Sequence, residues 1–132
     1  PPQPPKSDPA LEPVLEAAWK QHLAEMKAMK SDSVADVKNK DLPVGRVKKV
    51  MKLDPDVKMI AGEASFLMTQ AVEFMVRDLT LRAWHETAGR KTLQYPDVLA
   101  ATCATDLYDF LIDIIPRDDG EEDEEDATKT AI

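Results

Sequence analysis

The sequence predicts an all-α protein organised around one long helix, and three observations lead to this prediction. In the longest patterned stretches, apolar residues recur at three- and four-residue spacing, which is the period of one face of an α-helix. Only four of the 132 residues are glycine. No proline interrupts the longest of these stretches, so a single helix can run through it unbroken.

The N-terminal part contains a proline-rich segment and a first helix. Five of the first nine residues are proline, so residues 1–13 are expected to be extended and disordered. They contain no apolar run, so we expect no signal peptide there. Residues 14–41 are interpreted as a helix over residues 14–29 and a polar linker. One apolar stripe runs along this helix, formed by Leu15, Ala18, Trp19, His22, Leu23 and Met26.

A short helix and a long helix follow. Pro43 suits the first turn of the short helix, because its missing N–H would be unpaired there. Pro55 ends this helix, since proline disfavours helical geometry in the residue before it. The long helix is expected over about residues 57–86, with Gly89 as its stop. The short helix is expected to bury one face, formed by Val44, Val47 and Met51.

The C-terminal part carries two further helices and an acidic tail. Residues 90–94 are interpreted as a short extended loop, and Pro96 begins another short helix. Asp106 is expected to cap a last helix over residues 107–115. Residues 118–132 are acidic and are expected to be disordered.

The order short helix, long helix, short helix in the domain of residues 42–117 is itself a motif. Two short helices cannot cover an almost wholly apolar long helix, so the missing cover must come from another chain. The most economical cover is a second copy of the same arrangement, which is the handshake dimer of the histone fold. The dimer interface is expected at Leu67, Ala71, Phe74, Met75 and Leu79.

Four stretches of the chain resemble the family of the C subunit of nuclear factor Y. They are LPVGRVKKVMKLDPDVKMI (42–60), LTLRAW (79–84), KTLQ (91–94) and DFLIDIIPRD (109–118). The resemblance implies a histone fold with an extra N-terminal helix and a C-terminal helix, in a handshake heterodimer with a B-like subunit. It also implies binding to double-stranded DNA, docking of an A-like subunit that reads the CCAAT box in a heterotrimer, and a location in the nucleus.

A second function stays open at this point. The opening stretch of the LPxxRVKKVMK type is shared with histone-fold accessory subunits of DNA polymerase epsilon and of chromatin-remodelling complexes. In such a complex the dimer would hold a large enzyme on DNA and never meet the A-like protein. The motifs LTLRAW and DFLIDIIPR are more particular to nuclear factor Y, so they favour the first function.

The charge distribution permits a DNA partner although the net charge is −8. Residues 118–126 hold eight acids, and without them the chain has 17 bases and 17 acids. Residues 38–58 hold seven bases and three acids. Phosphate binding requires such a local concentration of positive charge, whatever the net charge of the chain.

Two groups of residues are candidate DNA contacts. The N-terminus of a helix favours anions, because its exposed N–H groups and its dipole point at them. The resemblance implies that helix starts and loops grip phosphates, and an arginine in the second loop can enter the minor groove. The candidates are Arg46, Lys48 and Lys49 in the short helix, Lys58 in the first loop, and Arg90, Lys91 and Thr92 in the second loop.

The last helix is the candidate docking site for the third protein of the complex. Asp106, Asp109 and Asp113 are three and four residues apart, so on an α-helix they would form one acidic stripe beside an apolar face that includes Phe110. The resemblance implies that a basic helix of the A-like protein binds here.

No catalytic constellation is present, so we predict no enzyme activity, no cofactor and no small-molecule substrate. His22 and His85 are far apart in sequence, and no group of residues has metal-ligand spacing. No apolar run approaches the ~18 residues that a membrane span needs, so no membrane partner is predicted.

Overall fold

A computed structural model of the chain describes residues 8–29 and 42–116, and their regular elements are all helices. In chain order they are α1 (Glu12–Ala28), α2 (Val44–Met51), α3 (Gly62–Glu86), α4 (Tyr95–Cys103) and a short 3-10 helix (Asp106–Leu111). Helices α1, α2 and α4 all pack against α3, and the 3-10 helix packs against α4. The predicted order of short, long and short helix is confirmed.

The predictions for the first residues, the linker and the acidic tail fall largely outside the described residues, which end at residue 116. Within the described residues, α1 begins at Glu12, inside the segment 1–13 that was assigned as disordered. Helix α1 can begin this early because an ordered turn precedes it. In this turn the Ala10 amide donates to the Asp8 carboxylate at 2.9 Å, and the Leu11 amide donates to the Asp8 carbonyl at 2.9 Å. Leu11 is buried, so this turn is anchored to the rest of the protein.

An ion pair and a hydrogen bond tie α1 and its preceding turn to α3. Arg77 donates to Glu25 at 2.8 Å, and His85 Nε2 lies 2.8 Å from Asp8 Oδ2. The hydrogen bond from the Ala10 amide, and then that from His85, lower the pKa of Asp8 from its ordinary value. The extra N-terminal helix is therefore fastened to the long helix near both of its ends.

Helix α3 begins at Gly62, later than the expected start near residue 57. Residues 54–57 form a turn instead, in which the Asp56 amide donates to the Asp54 carboxylate at 2.9 Å. Ala61 is extended, with ψ 146°, so the chain runs straight before the helix starts. Apolar spacing did not reveal this stretch, because its half-buried residues, Val57 and Ile60, are three residues apart, which is also a helical spacing. The helix ends at Glu86, and the first left-handed residue after its cap is Ala88, with φ 52°. Gly89 follows with φ 92°, a conformation that glycine adopts without strain, so the predicted stop lies three residues beyond the last helical residue.

A last helix is present, as predicted, but it is a 3-10 helix over Asp106–Leu111, so the expected span of residues 107–115 and the expected cap at Asp106 were wrong. The cap is Thr105, whose hydroxyl accepts from the Leu107 amide at 3.3 Å. A 3-10 helix has three residues per turn, so residues three apart lie on the same side. Tyr108 and Leu111 are both buried, and this spacing allows both to face the protein at once.

The apolar core of the described residues is small. Only Leu11, Ala83, Ala101, Tyr108 and Leu111 are buried apolar side chains, and two of these five are alanine. Most large apolar side chains of α3 stay at least partly exposed, which is unusual for so long a helix in a folded protein. No helix in the described part of the chain has the length and apolarity to cross a membrane.

Candidate DNA and partner interfaces

Helix α2 presents basic side chains at the surface of the protein. Arg46 and Lys49 are exposed, and Lys48 is half-buried. None of the three forms an ion pair with another described residue. Val44, Val47 and Met51, which were predicted to form the buried face of this helix, are only half-buried. No described acidic side chain therefore neutralises the positive charge of these three residues.

The first loop adds one further base. Lys58 is exposed in the extended stretch between α2 and α3. The structure places it after the turn at residues 54–57, and it too has no ion-pair partner among the described residues. Its role in DNA binding stays a prediction.

The second loop differs from the first because its arginine, Arg90, forms an ion pair and a hydrogen bond within the chain. Arg90 donates to the Asp97 carboxylate and, at 2.9 Å, to Gln94 Oε1. Asp97 is buried, and its other carboxylate oxygen accepts from the Gln94 amide at 2.8 Å, which caps α4. Arg90 therefore closes the loop onto α4. Arg90, Lys91 and Thr92 are all exposed, but of the three only Arg90 forms an ion pair among the described residues.

The predicted dimer interface lies along one side of α3. Leu67, Ala71, Met75 and Leu79 follow one another at four-residue intervals, so they form a continuous row. Leu67 is 60% exposed and Ala71 is exposed, whereas Met75 and Leu79 are half-buried. A row of large apolar side chains left partly open in the single chain is consistent with an interface, and that role stays a prediction.

Phe74, the fifth residue predicted at the dimer interface, contacts α1. The Trp19 ring meets it edge-on with 4.9 Å between centroids, and the His22 ring lies at 4.9 Å as well. Edge-on aromatic pairs at this separation are favourable. Phe74 is half-buried by these contacts, so much of its surface is covered within the chain itself.

The 3-10 helix presents the predicted docking residues outward. Phe110 is 63% exposed and Leu107 is 61% exposed, and their spacing of three residues puts them on one side. Asp106 and Asp109 share the adjacent side by the same spacing, and both are exposed. Asp113 is exposed but follows the end of the helix at Leu111, so the expected stripe of three acids on one α-helix is not formed. We call Asp106, Leu107, Asp109 and Phe110 the docking face.

A polar cluster that sequence reasoning missed holds this element against α3. The Tyr108 hydroxyl donates to Asp78 Oδ2 at 2.5 Å, and Arg82 Nε donates to the same oxygen at 2.7 Å. The Arg82 guanidinium also lies 5.9 Å from the centroid of the Tyr108 ring. We call Tyr108, Asp78 and Arg82 the tyrosine anchor. The four-residue spacing of Asp78 and Arg82 was a visible signal for the ion pair, but nothing in the sequence pointed to Tyr108.

The protonation state of the tyrosine anchor follows from its surroundings. Burial, and then the hydrogen bond to the Asp78 carboxylate, raise the pKa of Tyr108 far above its ordinary value. The hydroxyl therefore stays protonated at neutral pH and acts as the donor to Asp78.

No three histidine, cysteine or acidic side chains within residues 8–29 and 42–116 lie close enough together to hold a metal ion.

Comparison with known proteins gives the same class as the helix order. Residues 40–102 match the family described as histone-like transcription factor (CBF/NF-Y) and archaeal histone. The C-4 subunit of nuclear transcription factor Y of Oryza sativa subsp. japonica is 43% identical over 111 residues, which are 83% of this chain and 42% of that protein. The C-2 subunit of Arabidopsis thaliana is 42% identical over 120 residues, 89% of this chain and 58% of that protein. The gamma subunit of Pongo abelii is 43% identical over 107 residues, 80% of this chain and 31% of that protein.

The helix order and these matches define the chain as a histone-fold protein, which confirms the predicted all-α histone fold. Within that class, it belongs to the family of the C subunit of nuclear factor Y, as the sequence motifs indicated. The matched region spans between 31% and 58% of the length of these relatives, so it corresponds to part of each of them.

Proposed function

We propose that the chain is a histone-fold subunit of a heteromeric CCAAT-box-binding transcription factor in the nucleus. It pairs with a B-like subunit, and the dimer binds the DNA backbone. The docking face then receives an A-like subunit, which supplies sequence recognition. The chain acts by binding and carries out no chemistry.

The extent of the similarity carries this proposal. The family shared with archaeal histones matches residues 40–102 only, whereas the match to the C-4 protein of Oryza sativa covers 111 residues. Residues that flank the histone-fold core are therefore also shared with the C subunit of nuclear factor Y. A general histone-fold accessory protein requires only the core, so this observation favours the nuclear factor Y function over the polymerase or remodelling function.

The surface chemistry supports a division of labour between two sites. The basic side chains of α2 have no ion pairs within the described residues, which suits contact with phosphates. Such contacts fix position on the duplex but carry no sequence information. The docking face combines exposed apolar side chains with carboxylates, which suits a basic amphipathic helix.

A gel shift with the purified B and A subunits of nuclear factor Y tests the proposal. The dimer of this chain with the B subunit should retard CCAAT and scrambled duplexes alike. Adding the A subunit should give a slower complex on the CCAAT duplex only. A dimer that ignores the A subunit on both duplexes would contradict the proposal and would favour the accessory function in a polymerase or remodelling complex.

The salt dependence of DNA binding should locate the phosphate contacts. Replacing Arg46 and Lys49 of the dimer with alanine should flatten the log–log slope of affinity against salt by up to ~2 units, because each neutralised phosphate contributes about −0.9. Fluorescence anisotropy on a random duplex across a KCl series measures this slope. Lys91→Ala should give a change of about one unit.

The matched control for that experiment replaces Lys20 and Lys27 of α1 with alanine, two exposed bases far in sequence from α2. This control should leave the slope unchanged. Arg90→Ala is a poor test, because it unpairs the buried Asp97 carboxylate. A slope that stays the same in a folded Arg46/Lys49 double variant would show that these bases are only solvated.

A further inference from the structure

The tyrosine anchor joins the 3-10 helix to α3 through a single carboxylate oxygen. Tyr108 is 3% exposed and lies thirty residues from Asp78 in the chain. Asp78 Oδ2 accepts from the Tyr108 hydroxyl and from Arg82 Nε, with both carboxylate and guanidinium mostly buried. Hydrogen bonds to a charged group in a protected environment are the stronger kind, and they are directional.

We propose that Tyr108 is a positioning residue that sets the orientation of the docking face, an inference that rests on the proposed function. A 3-10 helix has three residues per turn, so once one side of it faces the protein, the side chains on the other two sides must face outward. Tyr108 and Leu111 form the inward side. Leu111 offers only apolar contact, which tolerates sliding and rotation. The hydroxyl of Tyr108 has one acceptor at 2.5 Å, and this contact sets the rotation of the element.

Phe110 depends on this orientation directly. Its ring centroid lies 6.4 Å from that of Tyr108, with the two rings tilted by 43°. The Tyr108 ring therefore forms a support beside the exposed Phe110 ring. A six-residue 3-10 helix has too few internal hydrogen bonds to hold its own conformation, so its order comes from such tertiary contacts.

The test removes one oxygen atom. In the heterodimer with the B subunit, Tyr108→Phe keeps the ring and leaves the Asp78–Arg82 ion pair in place. Hydrogen exchange should become at least several-fold faster in residues 107–114 and stay unchanged in α3. The affinity for the A subunit on a CCAAT duplex should fall about 10-fold, and the salt slope of the dimer on random DNA should not change.

Two further variants sharpen the test. Asp78→Asn replaces the carboxylate with a weaker, neutral acceptor, so it should also speed exchange in residues 107–114. Tyr95→Phe removes a hydroxyl from a tyrosine that is 59% exposed at the start of α4, and it should change neither exchange nor affinity. If neither Tyr108→Phe nor Asp78→Asn alters hydrogen exchange in residues 107–114, the inference is wrong.

The outcome can be separated from that of the proposed function by running Phe110→Ala in parallel. If Phe110→Ala weakens binding of the A subunit while Tyr108→Phe leaves binding unchanged, the docking face stands and the positioning role is overturned. If Phe110→Ala has no effect, the docking face itself is wrong. A Tyr108→Phe chain that speeds exchange throughout α3, or no longer pairs with the B subunit, would make Tyr108 a general core residue and would also overturn the inference.

Discussion

Expressed alone, the chain should not form a stable monomer, and co-expression with the B subunit of nuclear factor Y should make it soluble and cooperatively folded. The reason is the imbalance between its buried and exposed apolar surface. The largest side chain that is fully buried among the described residues is Thr69. By contrast, Leu67, Met68, Val76 and Trp84 of α3 are each between 43% and 60% exposed.

The energetic scale makes the effect large. Burying a side chain of this size stabilises a protein by about 1.5–3 kcal/mol. Four side chains that stay about half-exposed therefore leave roughly several kcal/mol of this stabilisation unrealised. A small domain has a free energy of unfolding of only about 5–15 kcal/mol. The lost burial is therefore comparable with the whole stability of the chain, and a partner that covers α3 would restore it.

The chain expressed alone and the co-expressed pair can be compared by size-exclusion chromatography, by thermal denaturation followed by circular dichroism, and by binding of a hydrophobic dye. Leu67→Asp should abolish pairing with the B subunit, because it places a charge in the row of predicted interface residues. Val14→Asp is the matched control, since Val14 is 46% exposed on α1, and pairing should survive it. A monodisperse single chain with one cooperative unfolding transition would contradict the prediction.

Substitutions in the docking face should weaken binding of the A subunit, and with it CCAAT selectivity, while sparing the dimer. Phe110→Ala should weaken binding of the A subunit about 30-fold, or about 2 kcal/mol, if Phe110 acts as an aromatic anchor of the interface. Replacing Asp106 and Asp109 together with lysine should cost a few kcal/mol of binding, because like charges would then face a basic helix. Asp113 is left out because it lies beyond the end of the 3-10 helix.

The dimer should tolerate these changes, since its predicted interface lies on α3. Non-specific DNA binding should persist, and it should strengthen in the double lysine variant because negative charge has been removed. Met26→Ala is the control for loss of an exposed apolar side chain, on α1 rather than on the docking face. The readout is a titration of the A subunit on CCAAT and scrambled duplexes. Wild-type ternary affinity in both the Phe110 and the double lysine variants would contradict the docking site.

The sequence by itself determined the fold and the family of this protein. The apolar period over about residues 57–86 and the absence of proline predicted the long helix, which runs over Gly62–Glu86. Pro43 and Gly89 marked a helix start and a helix end to within three residues. These signals are local, because proline and glycine act through the backbone of their own residue and its neighbours. The motifs LTLRAW and DFLIDIIPR indicated the family, and the similarity to the C subunit of nuclear factor Y confirms it.

Only the tertiary structure decided which polar groups are paired and how the C-terminal segment is wound. Arg90 looked free in the sequence, yet it closes the second loop onto the buried Asp97. The last element looked α-helical by spacing, yet Tyr108 reaches back thirty residues to Asp78, and that contact favours a three-residue repeat with Leu111 also inward. Such pairs join residues that are distant in the chain, so they depend on packing that local propensity and periodicity do not encode.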